Sequence, residues 1–225
     1  MSFTGFTPTT ISFLNDLGHN NNKEWFEARR DIYEEHVLQP MRDLTAGLEP
    51  CMKEIDPYID TTPVINKTIS RIYRDTRFSN DKRPLRNDLW ITFRRPKNEW
   101  GNVPEFYFYF TPERYEFGMG FYCATPANMS KIREHIDRCP ELFQPIVDFY
   151  DSHKVYRLGG EEYKKTIVNT HTESFQKWLQ KKSLYVSSGN ELDEAFFSPQ
   201  LASRLEKAFW EHSDLYRFIT KGIHE

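Results

Sequence analysis

Six cationic side chains fall within sixteen residues: Arg71, Arg74, Arg77, Lys82, Arg83 and Arg86. They belong to the stretch ISRIYRDTRFSNDKRPLRND, from Ile69 to Asp88, where only Asp75, Asp81 and Asp88 oppose them. Guanidinium groups grip phosphate or carboxylate through paired N–H donors and keep their charge near neutral pH. From Asn66 to Lys97 the chain carries ten Lys and Arg against three Asp, a local charge of +7. The whole chain is at −3, so the remainder stands at −10. A basic island on an acidic body focuses an anion without turning the whole surface into a polyanion binder. The expected ligand is therefore phosphate-bearing, a nucleotide or nucleic acid, with Arg71, Arg74, Asp75, Arg77, Lys82 and Arg86 at the site. Two other readings stay open. An enzyme acting on a small anionic substrate would use Arg74 and Arg77 as clamps and Asp75 as acid or base, inside an enclosed pocket. An interaction or scaffold domain would pair each guanidinium with an internal carboxylate or carbonyl.

Other motif matches fail on their surroundings. Ser79-Asn80-Asp81-Lys82 has the SxxK spacing of acyl-transferring serine enzymes, but it sits in a polar loop with no partner motif after it. Glu162-Tyr163-Lys164 has the ExK spacing of metal-dependent nucleases without a hydrophobic strand around it. The seven histidines form no HExxH, and His171-Thr172-Glu173 alone is a poor metal set. Gly118-Met119-Gly120 opens no helix and is no dinucleotide fingerprint. No nucleophile, base and orienting group converge at motif spacing, so the sequence assigns no catalytic residue, no cofactor and no metal ligand. Cys51, Cys123 and Cys139 are odd in number and far apart, which fits a reducing compartment. The first ten residues lack the charged start and apolar run of a signal peptide. No apolar stretch approaches the roughly 20 residues that span a bilayer. A cytoplasmic protein with no membrane partner is expected.

The elements that must hold the cations can be read on either side. Thr7 and Pro8 open a helix to Leu17, with Ile11, Leu14 and Leu17 on one face. Asn22 caps a second helix, whose stripe runs Trp25, Phe26, Ile32, Tyr33, Val37; Pro40 kinks or restarts it. The stripe continues through Leu44, Leu48, Cys51 or Met52, and Ile55. Ile65 to Tyr73 is expected as a strand, or a helical turn at Arg71 to Asp75 with an Arg71–Asp75 ion pair. Thr76 to Asn87 reads as a polar loop.

Period-two alternation is cleanest in Leu89–Ile91–Phe93, Phe106–Phe108–Phe110 and Tyr115–Phe117–Met119–Phe121–Cys123, which predicts half-buried antiparallel strands joined by a turn at Thr111 to Arg114. The other face of that sheet would show Trp90, Thr92, Arg94, Tyr107, Tyr109 and Tyr122, rings and cations suited to single-strand binding if left open and to internal hydrogen bonds if helices cover it. Gly118 opposite Tyr107 lets the ring lie across the missing side chain, or lets a ligand approach. Thr125 and Pro126 start a further helix with Met129, Ile132 and Ile136. Leu142, Phe143, Ile146, Val147 and Tyr150 form another stripe, kinked or restarted at Pro145. Arg157 to Glu162 is expected as a turn, Glu173 to Lys181 as a helix, Leu184 to Ser187 as a strand. Ser198-Pro199 opens one last helix from Leu201 to Ile219, ended by Lys221 and Gly222. The fold class is α+β, a single domain over 1–225, with an antiparallel meander at about 88–124 packed by amphipathic helices.

Four blocks, NNNKEWFEARRDIYEEHVLQP, ISRIYRDTRFSNDKRP, FYFYFTPERYEFGMGFYCATP with MSKIREHI, and FFSPQLASRLEKAFWEHSDLYRFI, together resemble domain of unknown function family 2461. The resemblance covers nearly the whole chain, and the arginine-rich block is its most specific part. It implies a single domain of about this length, found in bacteria and fungi, and carries no activity, cofactor or catalytic residue. Gly118-Met119-Gly120 is a departure from the many members that have a run of glycines there.

Overall fold

Thr7 starts the first helix, α1 (Pro8–His19), through a reciprocal cap. Its hydroxyl accepts from the Thr10 N–H, and the Thr10 hydroxyl accepts from the Thr7 N–H. Two donors that a helix start leaves over are thereby satisfied. Asn22 opens α2 (Lys23–Glu27), accepting from the Trp25 N–H at 2.9 Å. The expected continuous helix then breaks at Arg29 and restarts as α3 (Arg30–Tyr33). It widens into a π-helical turn at Glu34–Leu38 and runs on as α4 (Gln39–Ile55). Pro40 has no N–H for the His36 carbonyl; the Thr10 hydroxyl donates to that carbonyl instead, at 2.6 Å. The proline thus disturbs the turn before it and leaves its own helix intact.

The computed structural model describes residues 2–96, 103–121, 124–167 and 172–225. It is an α+β fold with helices packed on a five-stranded antiparallel sheet, in the order β1-β2-β3-β5-β4. The strands are β1 (Leu89–Phe93), β2 (Glu105–Phe110), β3 (Arg114–Gly120), β4 (Arg157–Gly159) and β5 (Tyr185–Glu191). The expected meander is β1 to β3, and the Thr111 N–H closes its turn on the Arg114 carbonyl at 2.8 Å. Tyr122 and Cys123, assigned to its last strand from sequence, lie outside the described residues, as does His171. No helix among the described residues is long and apolar enough to cross a membrane.

The chain divides into two compact units. One holds the chain up to Phe93 with 107–117 and 189–208; the other holds 94–106, 118–188 and 209–225. In the first, Leu89, Ile91, Phe93, Phe108, Phe110, Tyr115 and Phe117 are buried. Phe6 sits among Phe3, Phe108, Phe110 and Phe196, with centroids 4.8 to 6.1 Å away. α4 lies against β1. In the second, the helices are α5 (Pro126–Arg138), α6 (Pro140–Ser152), α7 (Glu173–Leu179) and α9 (Ser213–His224), with the end of α8 (Gln200–Glu211). Phe106 packs on Phe209 and Tyr216, at 5.4 and 5.0 Å between centroids.

Several expectations are corrected. The last helix is two, α8 and α9, broken at His212, and Gly222 lies inside α9 rather than ending it. α6 starts at Pro140 and passes through Pro145 without interruption, and Leu142 points outward at 53% exposure instead of joining the stripe. Arg157 to Gly159 is an edge strand, paired antiparallel with Tyr185 to Ser187, where a turn was expected. At Gly118 the structure adds a reason of its own: a Cβ there would stand 2.0 Å from the Val186 carbonyl oxygen, and one at Gly120 would meet Tyr185 at 2.3 Å. The two glycines let the backbone of β5 come close.

Ile65 to Tyr73 is not a strand. Asn66, at φ 68°, folds the chain back so that its N–H reaches the Ile69 carbonyl. Ile69 and Ile72 are both buried, a spacing of three that a flat strand would place on opposite faces. Only Thr68 to Ser70 pairs with the sheet, along the outer side of β1. The Thr92 N–H donates to the Thr68 carbonyl at 2.8 Å and the Ser70 N–H to the Trp90 carbonyl at 2.9 Å.

Candidate functional site

Directly after that edge pairing, the arginine-rich stretch folds back on itself. The Arg86 N–H donates to the Ile72 carbonyl at 3.0 Å, and the Arg74 N–H to the Pro84 carbonyl at 2.8 Å. Tyr73 and Leu85 form the antiparallel bridge between them. These bonds make residues 72–86 a short arm, with a stem at each end and a loop at 75–83. Asn21, between α1 and α2, clamps the stem: its amide oxygen accepts from the Leu85 N–H and its amide nitrogen donates to the Leu85 carbonyl, both at 2.9 Å. Tyr73 adds a hydroxyl bond to Glu27 at 3.0 Å and an edge contact with Phe26. Asn21→Ala strips both partners from Leu85 and should cost about 1–3 kcal/mol in urea unfolding. Faster amide exchange at Leu85 than in the parent checks that the loss comes from the stem.

The loop is built from one device used twice. Asp75 accepts from the Arg77 N–H at 3.2 Å and takes the Arg77 guanidinium at 2.9 and 2.6 Å. Asp81 accepts from the Arg83 N–H at 3.0 Å and takes the Arg83 guanidinium at 3.0 and 2.7 Å. The short Asp side chain favours such turns by reaching the backbone two residues on. Asp81 also receives Arg74 at 2.5 Å, and Lys82 donates to the Thr76 carbonyl at 3.0 Å. Hydrogen bonds from the Arg77 side chain and backbone hold the Asp75 carboxyl well below the usual range; Arg83 and Arg74 do the same to Asp81.

Of the expected site residues, Arg74, Asp75, Arg77, Lys82 and Arg86 all lie on the arm, and Arg71 is exposed at its root. The Arg71–Asp75 pair is not made, because Asp75 is engaged by Arg77. Asp75 is therefore a tether. Exposed and hydrogen-bonded to the Arg77 side chain and N–H, its carboxyl is held in the ionised form. Arg86 lies over the Trp90 ring, 4.5 Å from its centroid. The ion pairs of Arg74, Arg77 and Arg83 are made with Asp75 and Asp81, inside the arm. Leaving Arg86 aside, the five cations Arg71, Arg74, Arg77, Lys82 and Arg83 against these two carboxylates leave +3. Arg77 and Arg83 keep 76% and 58% of their side-chain surface open.

The sheet face next to Trp90 is half-exposed at Thr92, Tyr107, Tyr109 and Glu116. The Tyr107 hydroxyl donates to Glu116 at 2.7 Å. Burial, with Asp88 beside it, pushes the Tyr109 hydroxyl upward. Arg94, expected on this face, pairs with Glu105 at 3.5 Å. The face is thus a partly satisfied polar surface and not a bare platform. Sequence reading missed three residues of the arm and its clamp. Asn21 was not among the expected site residues and Arg83 was counted only as a charge, though the repeated Asp-x-Arg of Asp75–Arg77 and Asp81–Arg83 signals the turns. Phe78, 94% exposed at the apex, was passed over as part of a polar loop, where an aromatic without a periodic partner is itself the signal.

No cluster of His, Cys, Asp and Glu suited to a metal occurs among the described residues. No curated protein matches the chain. The arm and its clamp lie wholly inside residues 9–218, which match the model of the conserved hypothetical proteins DUF2461, and the chain belongs to that family.

Proposed function

We propose that the chain binds a phosphate-bearing ligand, a nucleotide or nucleic acid, on the arm of residues 72–86. The observation that carries this reading is where the arm's ion pairs go. Arg74, Arg77 and Arg83 share two carboxylates from their own loop, so an excess of +3 over Arg71 to Arg83 is not drained by those pairs. Exposed ion pairs are worth little, and guanidinium groups held in a fixed orientation exchange a shared carboxylate for a phosphate at small cost. The cytoplasm is the proposed compartment: Cys51 and Cys139 are free thiols, and burial pushes the Cys51 thiol up to about 12, which leaves it inert.

The test combines Arg71→Ala with Arg77→Ala and follows binding of ATP and of a labelled oligonucleotide by anisotropy across a salt series. The parent should lose affinity as salt rises. The double variant should flatten the log–log slope by about 1.4, at roughly 0.7 per phosphate contact on a single strand. A parent that binds neither probe in a salt-dependent way overturns the reading.

A further inference from the structure

Phe78 has no structural task. Its ring is 94% exposed, and the Arg77 guanidinium lies 5.7 Å from its centroid. The loop that carries it is nevertheless firmly built. The Ser79 N–H reaches the Thr76 carbonyl at 3.4 Å, the Asp81 N–H reaches the Ser79 hydroxyl at 3.1 Å, and Lys82 ties back to Thr76. The two Asp-x-Arg turns stand on either side. A bare benzyl group on a cross-braced loop that also carries Arg77, Lys82 and Arg83 combines a π-face with phosphate-binding charge.

We propose that Phe78 stacks on an unpaired base, and that the ligand of the arm is single-stranded nucleic acid. This rests on the reading of the arm as a phosphate-binding element and narrows it. Duplex bases are stacked on one another and offer a side chain no open face, whereas a single strand can splay a base onto an aromatic ring while its phosphates meet nearby cations. The ring is held on a braced loop before binding, so little conformational freedom is lost when a base docks. A free nucleotide would meet the same ring and cations once; a strand engages Arg71, Arg77, Lys82 and Arg83 through successive phosphates.

The test measures binding of a labelled oligothymidylate of about 12 nucleotides, a duplex of the same length, ATP, and vesicles of phosphatidylcholine with phosphatidylserine. The proteins are the full-length parent, Phe78→Ala, Phe78→Trp and the Arg71→Ala/Arg77→Ala double variant. The parent should prefer the single strand. Phe78→Ala should weaken that binding by about 5- to 160-fold, with an unchanged salt slope and an unchanged melting temperature, and Phe78→Trp should restore it. If Phe78→Ala binds like the parent while the double arginine variant still flattens the salt slope, the stacking inference falls and the phosphate reading stands. If the parent shows no salt-dependent binding at all, both fall. Vesicle binding that depends on Phe78, with no affinity for the strand, would replace nucleic acid by an anionic lipid surface. A melting temperature lowered by Phe78→Ala would place the ring in the fold and overturn the inference.

Discussion

Lowering the pH from 7.5 to about 5 should weaken the fold by about 2 kcal/mol through His212 alone. This side chain is fully buried at the break between α8 and α9, and its Nδ1 shares a hydrogen bond of 2.8 Å with the Tyr150 hydroxyl. Its Nε2 is buried with no hydrogen-bond partner among the described residues. Tyr156 meets its ring edge at 4.5 Å, and the Tyr156 hydroxyl bonds Glu211. Burial lowers the imidazole from 6.5 to about 3. The folded state therefore keeps His212 neutral while the unfolded chain takes up a proton below about 6.5. The contribution is complete above that value and is lost progressively as pH falls toward 3. His135, also lowered by burial, works in the same direction. Urea titrations at the two pH values measure the loss. His212→Gln should start less stable at pH 7.5 and show a smaller loss on acidification. Equal losses in parent and variant would mean that His212 is protonated in the folded protein.

Phe6→Ala should remove about 3–5 kcal/mol, because a ring with aromatic partners on several sides leaves a cavity that a packed core refills poorly. Phe6 is 1% exposed and touches four other phenylalanines. Its N–H also donates to the Phe196 carbonyl at 3.2 Å, so the segment before α1 is pinned by ring and backbone together. For a chain of this length the loss corresponds to roughly 6–20 °C in melting temperature. A scanning calorimetry shift of only a degree or two would show that the cavity collapses, or that the segment is not held there in solution.

Much of the architecture was legible because local chemistry specified it. Thr7, Asn22 and Thr125 announced helix starts, since a short side chain accepting an N–H has few other uses beside a proline or an apolar stripe. Leu89 to Phe93 and Phe106 to Phe110 alternate because one face of each strand is buried and the other is half-exposed. What the sequence hid depends on partners far along the chain. At the π-helical turn the His36 carbonyl is met by the Thr10 hydroxyl, a partner 26 residues away. The break at His212 costs nothing in periodicity, because the apolar stripe resumes on the far side. The arm's stem was concealed by its composition: Ile65, Ile69, Ile72 and Tyr73 have strand propensities, and the left-handed Asn66 decides otherwise. At the candidate site the cations were visible, but the pairing of Asp75 with Arg77 rather than Arg71 follows from turn geometry that charge counting ignores.

The strip from Thr68 to Ser70 works like a zip on the flank of the sheet. It occupies backbone groups of β1 that would otherwise face outward, and the arm begins immediately beyond it. A chain whose strip has peeled away presents a bare β-ribbon to its siblings, the template on which copies add side by side into fibrils. Anything that pulls on the arm therefore loads this fastening, and the shelf life of concentrated protein becomes a property of the three uncharged residues that lead into it.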